Sequence, residues 1–67
     1  MEIFGQRLKE LREENGLSQR QLAAIIKTSQ PNLQRWEKGQ FEPDQKTTII
    51  IADFFNVSID YLFGRED

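Results

Sequence analysis

Residues 29–39 read SQPNLQRWEKG and gather Gln30, Asn32, Gln34 and Arg35 within one short stretch. A glutamine or asparagine amide presents a donor and an acceptor side by side, which matches the edge of adenine. An arginine guanidinium matches the two acceptors of guanine. Pro31 adds a small apolar surface of the kind that can meet a thymine methyl. Such groups select a partner only if a rigid element shows them together on one side.

The stretch has the punctuation of a helix. Ser29 is a suitable N-cap, Gln30, Pro31 and Asn32 form the first turn, and Gly39 is a C-terminal stop. Proline is tolerated in that turn because its missing N–H would have no partner there. The expected helix covers about 30–38. Leu33 and Trp36, spaced i, i+3, should face inward. At about 100° per residue the opposite side is Pro31, Gln34, Arg35 and Lys38, with Gln30 at the N-terminal tip. That side contains no acid. The plainer reading is a merely solvated polar face, although a chain this rich in Glu and Asp would usually place some of them on it.

Four more helices are expected around this one. The first, about 3–14, repeats Phe4, Leu8 and Leu11 at i, i+4 and i+7, and ends at Asn15-Gly16, either of which can take a left-handed cap. The second, about 19–26, starts with Ser18-Gln19-Arg20-Gln21, a capping box, and buries Leu22, Ala23 and Ile26. After the loop GQFEPD, Asp44 can cap a fourth helix. Its "TTIIIADFF" is β-branched enough to be read as a strand, but the cap, the absence of a pairing strand and Asn56 favour a helix. Ile49, Ile51 and Phe54 or Phe55 are its expected core residues. A fifth helix, capped by Ser58, should run about 59–63 and stop at Gly64. The fold class is therefore all-α, a compact five-helix domain over 1–67. The second helix, a short turn and the third helix make a helix-turn-helix outline, whose second helix can enter a DNA major groove.

The same geometry suggests where phosphate could bind. Backbone N–H groups at the starts of the second and third helices attract anions. Gln19 and Arg20 lie at the first start, Lys27 and Ser29 near the second, and Lys38 and Lys46 flank the far side. These contacts would set position and salt dependence rather than sequence choice. Glu37 stands out, since a carboxylate in the last turn opposes the helix dipole and would repel phosphate. A cation from another element would account for it, and Arg12 is the candidate. The alternative is an exposed glutamate.

Composition limits the options. The 67 residues carry a net charge of −2, 37% hydrophobic and 30% charged residues, and neither cysteine nor histidine. One domain is expected, with no disulfide, no metal site and no cofactor. No apolar run approaches the roughly 18 residues of a membrane span, and the first residues lack a secretory signal, so a cytoplasmic protein is expected. Residues 18–40 contain Arg20, Lys27, Arg35 and Lys38 against Glu37 alone. A positive middle in an acidic chain can still attract an anion, because the local field governs encounter. Without histidine, cysteine, a glycine-rich phosphate loop or clustered carboxylates, an enzyme is not expected.

From "RLKELREENGLSQRQLA" through "NLQRWEKG" to "NVSIDYLFG", nearly the whole chain resembles the Cro/C1-type (XRE) helix-turn-helix family of phage and bacterial repressors. Leu17-Ser18-Gln19, Leu22-Ala23, Trp36-Glu37-Lys38-Gly39 and Val57-Ser58-Ile59-Asp60-Tyr61-Leu62 fall where that pattern expects them. The resemblance implies a lambda-repressor-like, sequence-specific double-stranded DNA-binding regulator, expected to repress as a homodimer on a two-fold symmetric operator. It implies base reading by Gln30, Pro31, Asn32, Gln34 and Arg35, and phosphate contacts including Gln19, Ser29 and Lys38. It also implies an Arg12–Glu37 pair joining the first and third helices. Dimer contact is implied around the fifth helix, at Val57, Ile59, Tyr61 and Phe63.

Two departures stand out. Lys27 replaces the usual turn glycine, where a left-handed backbone would cost on the order of 1 kcal/mol. Either the turn differs or the strain is tolerated, with Lys27 reaching phosphate. The loop Gln40-Phe41-Glu42 lacks the basic residues of some relatives, which leaves Phe41 free for packing or partner contact. The competing function is a protein-interaction or antitoxin-type module on the same fold with weak DNA binding. Because the chain ends three residues after Gly64, it is expected to be either a minimal protein or a fragment of a longer repressor.

Overall fold

The computed structural model describes residues 3–66. α1 spans Ile3–Glu14, α2 Gln19–Ile25, α3 Gln30–Glu37, α4 Gln45–Phe55 and α5 Ile59–Leu62. Among the described residues there is no strand.

α2 to α5 each start on a side-chain cap. Ser18 Oγ accepts from the Gln21 N–H at 3.0 Å while Gln21 Oε1 accepts from the Ser18 N–H at 2.8 Å, which completes the capping box. Ser29 accepts from Asn32 at 3.2 Å, Asp44 from Thr47 at 2.9 Å and Ser58 from Tyr61 at 2.9 Å. Hydrogen bonding from Thr47 holds the Asp44 carboxyl below the ordinary carboxylate range, and the charge of Lys46 adds a smaller pull.

Helix ends are equally local. Gly16 takes the left-handed position after α1, at φ 68°, while the Asn15 amide donates back to the Leu11 carbonyl at 2.7 Å. Asn56, at φ 56°, closes α4 in the same conformation. α2 and α3 each end one residue before the expected boundary, with Ile26 and Lys38 as C-caps.

One apolar stripe from each helix meets in the centre. Phe4, Leu8 and Leu11 come from α1, Leu22 and Ala23 from α2, Leu33 and Trp36 from α3, Ile51 and Ala52 from α4, and Leu62 from α5. Ile26, capping α2, joins them. Burying a residue such as Leu33 contributes about 1.5–3 kcal/mol. α5 is held against α1 by the stacked rings of Phe4 and Phe63, 5.1 Å apart, and by the Arg7 guanidinium over the Tyr61 ring at 4.3 Å.

α4 corrects one expectation. Ile49 is not a core residue, being 40% exposed, and of the two alternatives Phe55 packs against the core while Phe54 is 44% exposed. The inward stripe is Thr48, Ile51, Ala52 and half-buried Phe55, at i, i+3, i+4 and i+7. Ile49 and Phe54 lie about 110° to either side of its centre, at about 100° per residue. Thr48 fits the interior because its hydroxyl donates to the Asp44 carbonyl at 2.9 Å. None of the described helices is long and apolar enough to cross a membrane.

Candidate nucleic-acid interface

The turn between α2 and α3 is made by Ile26, Lys27, Thr28 and Ser29. Lys27 adopts φ 62°. The backbone is therefore left-handed where a lysine is strained, and the turn keeps the shape that a glycine would allow. The Thr28 N–H donates to the Ala23 carbonyl at 2.8 Å, and this bond requires the reversed backbone. The Lys27 side chain is left exposed at the outside of the turn.

Leu33 and Trp36 anchor α3, at 0% and 6% exposure. Pro31, Arg35 and Lys38 are exposed, and Gln30, Asn32 and Gln34 are half-buried. Asn32 leans toward the turn, where its amide donates to Thr28 Oγ1 at 3.3 Å. That bond uses one amide hydrogen of Asn32 and leaves its second amide hydrogen and its Oδ1.

Glu37 is turned inward. Arg12 Nε donates to its Oε2 at 2.7 Å and Arg12 Nη2 to its Oε1 at 3.1 Å, a two-pronged pair. The side chains of Arg12 and Glu37 are only 10% and 4% exposed. Arg12 Nη1 also donates to the Leu17 carbonyl at 2.8 Å. Glu37 hydrogen bonding raises the Arg12 pKa above its ordinary value, against the opposing effect of burial. The single acid of residues 18–40 is thus neutralised and hidden.

The network continues to the front of α3. Gln19 Nε2 donates to Glu37 Oε1 at 3.0 Å, and Gln30 Nε2 donates to Gln19 Oε1 at 2.7 Å. A carboxylate can only accept, so Gln19 must turn its NH2 toward Glu37 and its carbonyl toward Gln30. Gln30 must then offer one amide hydrogen to Gln19. Its second amide hydrogen and its Oε1 remain, one donor and one acceptor, the pair that adenine matches. The Gln19 side chain, expected at phosphate, is used on both ends inside the domain. Its backbone N–H, in the first turn of α2, remains available for an anion.

The other expected phosphate residues are dispersed. Arg20 is exposed in the first turn of α2, Lys38 caps α3, and Lys46 is exposed in the first turn of α4. Ser29 Oγ is occupied as a cap. Of the residues expected at a dimer contact, Ile59 is 40% exposed, whereas Val57, Tyr61 and Phe63 are half-buried against the core. Gly5 escaped the motif reading altogether. A Cβ there would sit 2.4 Å from the Trp36 carbonyl oxygen and 2.7 Å from that of Glu37. Its one signal in sequence is a glycine inside an apolar-periodic helix, which costs about 1 kcal/mol relative to alanine unless packing requires it.

Comparison with known proteins finds similar chains. The HTH-type transcriptional regulator ImmR of Bacillus subtilis (strain 168) is 35% identical over 64 residues, 96% of this chain and 50% of its own length. The HTH-type transcriptional activator BcrR of Enterococcus faecalis is 34% identical over 64 residues, 96% of this chain and 31% of its own. The chain thus spans half or less of the length of these two curated relatives. The P22 c2 repressor protein, in its crystal structure with synthetic operator 9T, superimposes with a TM-score of 0.89 at 21% identity. That match covers 98% of this chain and 100% of the repressor chain, and it identifies the fold. A helix-turn-helix family model matches residues 8–62, a range that includes α2, the turn and α3, and the chain belongs to the helix-turn-helix family.

Proposed function

We propose that this chain binds double-stranded DNA sequence-specifically and regulates transcription, reading the major groove with α3. The observation that carries the proposal is the outward side of α3. It presents Pro31, Gln34, Arg35, Lys38 and an oriented Gln30, while the nearby acid is buried against Arg12. Gln30, Asn32, Gln34 and Arg35 read base edges, and Pro31 packs on a methyl. Arg20, Lys27, Lys38, Lys46 and the backbone at Gln19 and Ser29 hold phosphate. A half-site of about four to six base pairs suits one such helix. The proposed active form is a homodimer on a two-fold symmetric operator, acting in the cytoplasm as a repressor by occupancy, with Ile59 as its most exposed dimer-contact residue. The operator named with the P22 c2 repressor lends support.

Selection of bound sequences from random DNA tests this directly. An enriched half-site is expected, with affinity falling steeply as salt rises. Arg35→Ala should weaken binding to the selected site by about 1–3 kcal/mol and relax one base position. Lys38→Ala should weaken all sequences alike and reduce the salt slope by about one. A protein that enriches no sequence yet keeps a protein partner would instead be an interaction module. A promoter reporter, in which repression lowers the signal and activation raises it, separates the two regulatory modes.

Lys27 gives a test with two opposed readouts. Lys27→Gly removes a left-handed strain of about 1–2 kcal/mol but adds unfolded-chain entropy of about 0.5–1 kcal/mol. The net expectation is a gain of several tenths to about 1 kcal/mol in urea unfolding, together with weaker DNA binding and a shallower salt slope. A gain in stability with unchanged affinity would remove Lys27 from the phosphate contacts.

A further inference from the structure

Arg35 is exposed on the outward side of α3, yet it is not isolated. Its guanidinium carbon lies 6.0 Å from the centroid of the Phe41 ring. Phe41 is 50% exposed and sits in the loop after α3, among Gln40 and Glu42, with no basic residue beside it. The loop does not hang freely there. The Gln40 N–H donates to the Arg35 carbonyl at 3.0 Å, which fixes the backbone immediately before Phe41 to the residue whose side chain the ring meets.

We propose that Phe41 is a positioning residue for Arg35, a ring platform that restricts the guanidinium to orientations suited to a base edge. The proposal rests on the reading of α3 as a DNA-reading helix. An aromatic ring attracts a guanidinium through its electron-rich face. A guanidinium that turns its flat side to a ring keeps its N–H edge free, and the edge is what pairs with the two acceptors of guanine. A free arginine must lose the freedom of a long side chain on binding. One already limited by a ring loses less, which favours the base that accepts that orientation. Phe41 therefore sharpens choice at the base read by Arg35 without touching DNA itself.

The test compares wild type, Phe41→Leu, Arg35→Ala and the double variant on the selected duplex and on one altered at the base pair read by Arg35. Phe41→Leu keeps an apolar side chain but removes the ring face. It should weaken binding to the selected duplex about two- to fivefold. The loss should vanish in the Arg35→Ala background and on the altered duplex, and Phe41→Tyr should restore wild-type binding. In the free protein, the Arg35 δ-methylene proton signals should be shifted upfield by the ring and return to ordinary positions in Phe41→Leu. Equal losses with and without Arg35, or Arg35 signals insensitive to Phe41, overturn the role while leaving DNA binding intact. A wild type that enriches no duplex overturns the proposed function and this role together.

Discussion

Gly5→Ala is expected to destabilise the domain by about 3 kcal/mol or more, although alanine favours a helix by about 1 kcal/mol over glycine. The added methyl has nowhere to go. Its carbon would fall 2.4 Å from one backbone oxygen and 2.7 Å from the next, at Trp36 and Glu37. Neither obstacle is the tip of a flexible side chain, so α1 and α3 must separate. Separation pulls Trp36 from the core and lengthens the Arg12–Glu37 hydrogen bonds of 2.7 and 3.1 Å. Domains of this size have a total stability of about 3–10 kcal/mol at roughly 0.05–0.15 kcal/mol per residue, so the variant should lose between about a third and all of it. Thermal unfolding followed by circular dichroism measures this. Gln6→Ala, at an exposed neighbour, should stay within about 0.5 kcal/mol of wild type as the control. A Gly5→Ala protein as stable as wild type would mean that α1 and α3 do not approach this closely.

The second large effect comes from breaking the buried ion pair on one side only. Glu37→Ala leaves the Arg12 guanidinium at 10% side-chain exposure without its carboxylate. Arg12→Ala leaves the Glu37 carboxylate and the Leu17 carbonyl without their donor. Each should cost about 3–5 kcal/mol, because an uncompensated buried charge is what is being created. The double variant Arg12→Ala, Glu37→Ala should cost clearly less than the two single losses added, since it removes both charges together. Urea unfolding of the three variants provides the cycle, and simple additivity would rule out the coupling. Glu37→Gln adds a finer readout. An amide can donate to Gln19 as well as accept from it, so the amide of Gln30 loses its enforced orientation. Selectivity at its base should then relax even where the fold survives.

These two sites also show how far residue types alone could be read. Helix starts were legible because a cap is a contact between residues three apart: Ser18 with Gln21, Ser29 with Asn32, Asp44 with Thr47. The inward pair Leu33 and Trp36 was legible for a similar reason, since a helix fixes the angle between neighbours. The same argument reached its limit in α4, where every candidate was apolar. With isoleucine at three successive positions, the pattern names no inward face, and the other helices chose Thr48 and Ile51 over Ile49 and Phe54. Lys27 is an intermediate case. Its departure from glycine marked the turn as unusual, and only the backbone showed that the strained conformation is kept.

By itself, the order of residues determined the five helices, their caps and the kinds of side chain that α3 carries outward, because each of these is settled within a turn or two of chain. The tertiary structure decided which atoms meet over longer separations, where residue types offered at most a candidate such as the Arg12–Glu37 pair. Gln19 reaches Glu37 across 18 residues and Arg12 reaches it across 25. Whether Glu37 repels phosphate or orients Gln19 and Gln30 depends on helix spacing and crossing, set by the packing of Gly5 against α3. Burial then turns a weak surface ion pair into a strong constraint, because water no longer competes for the charges.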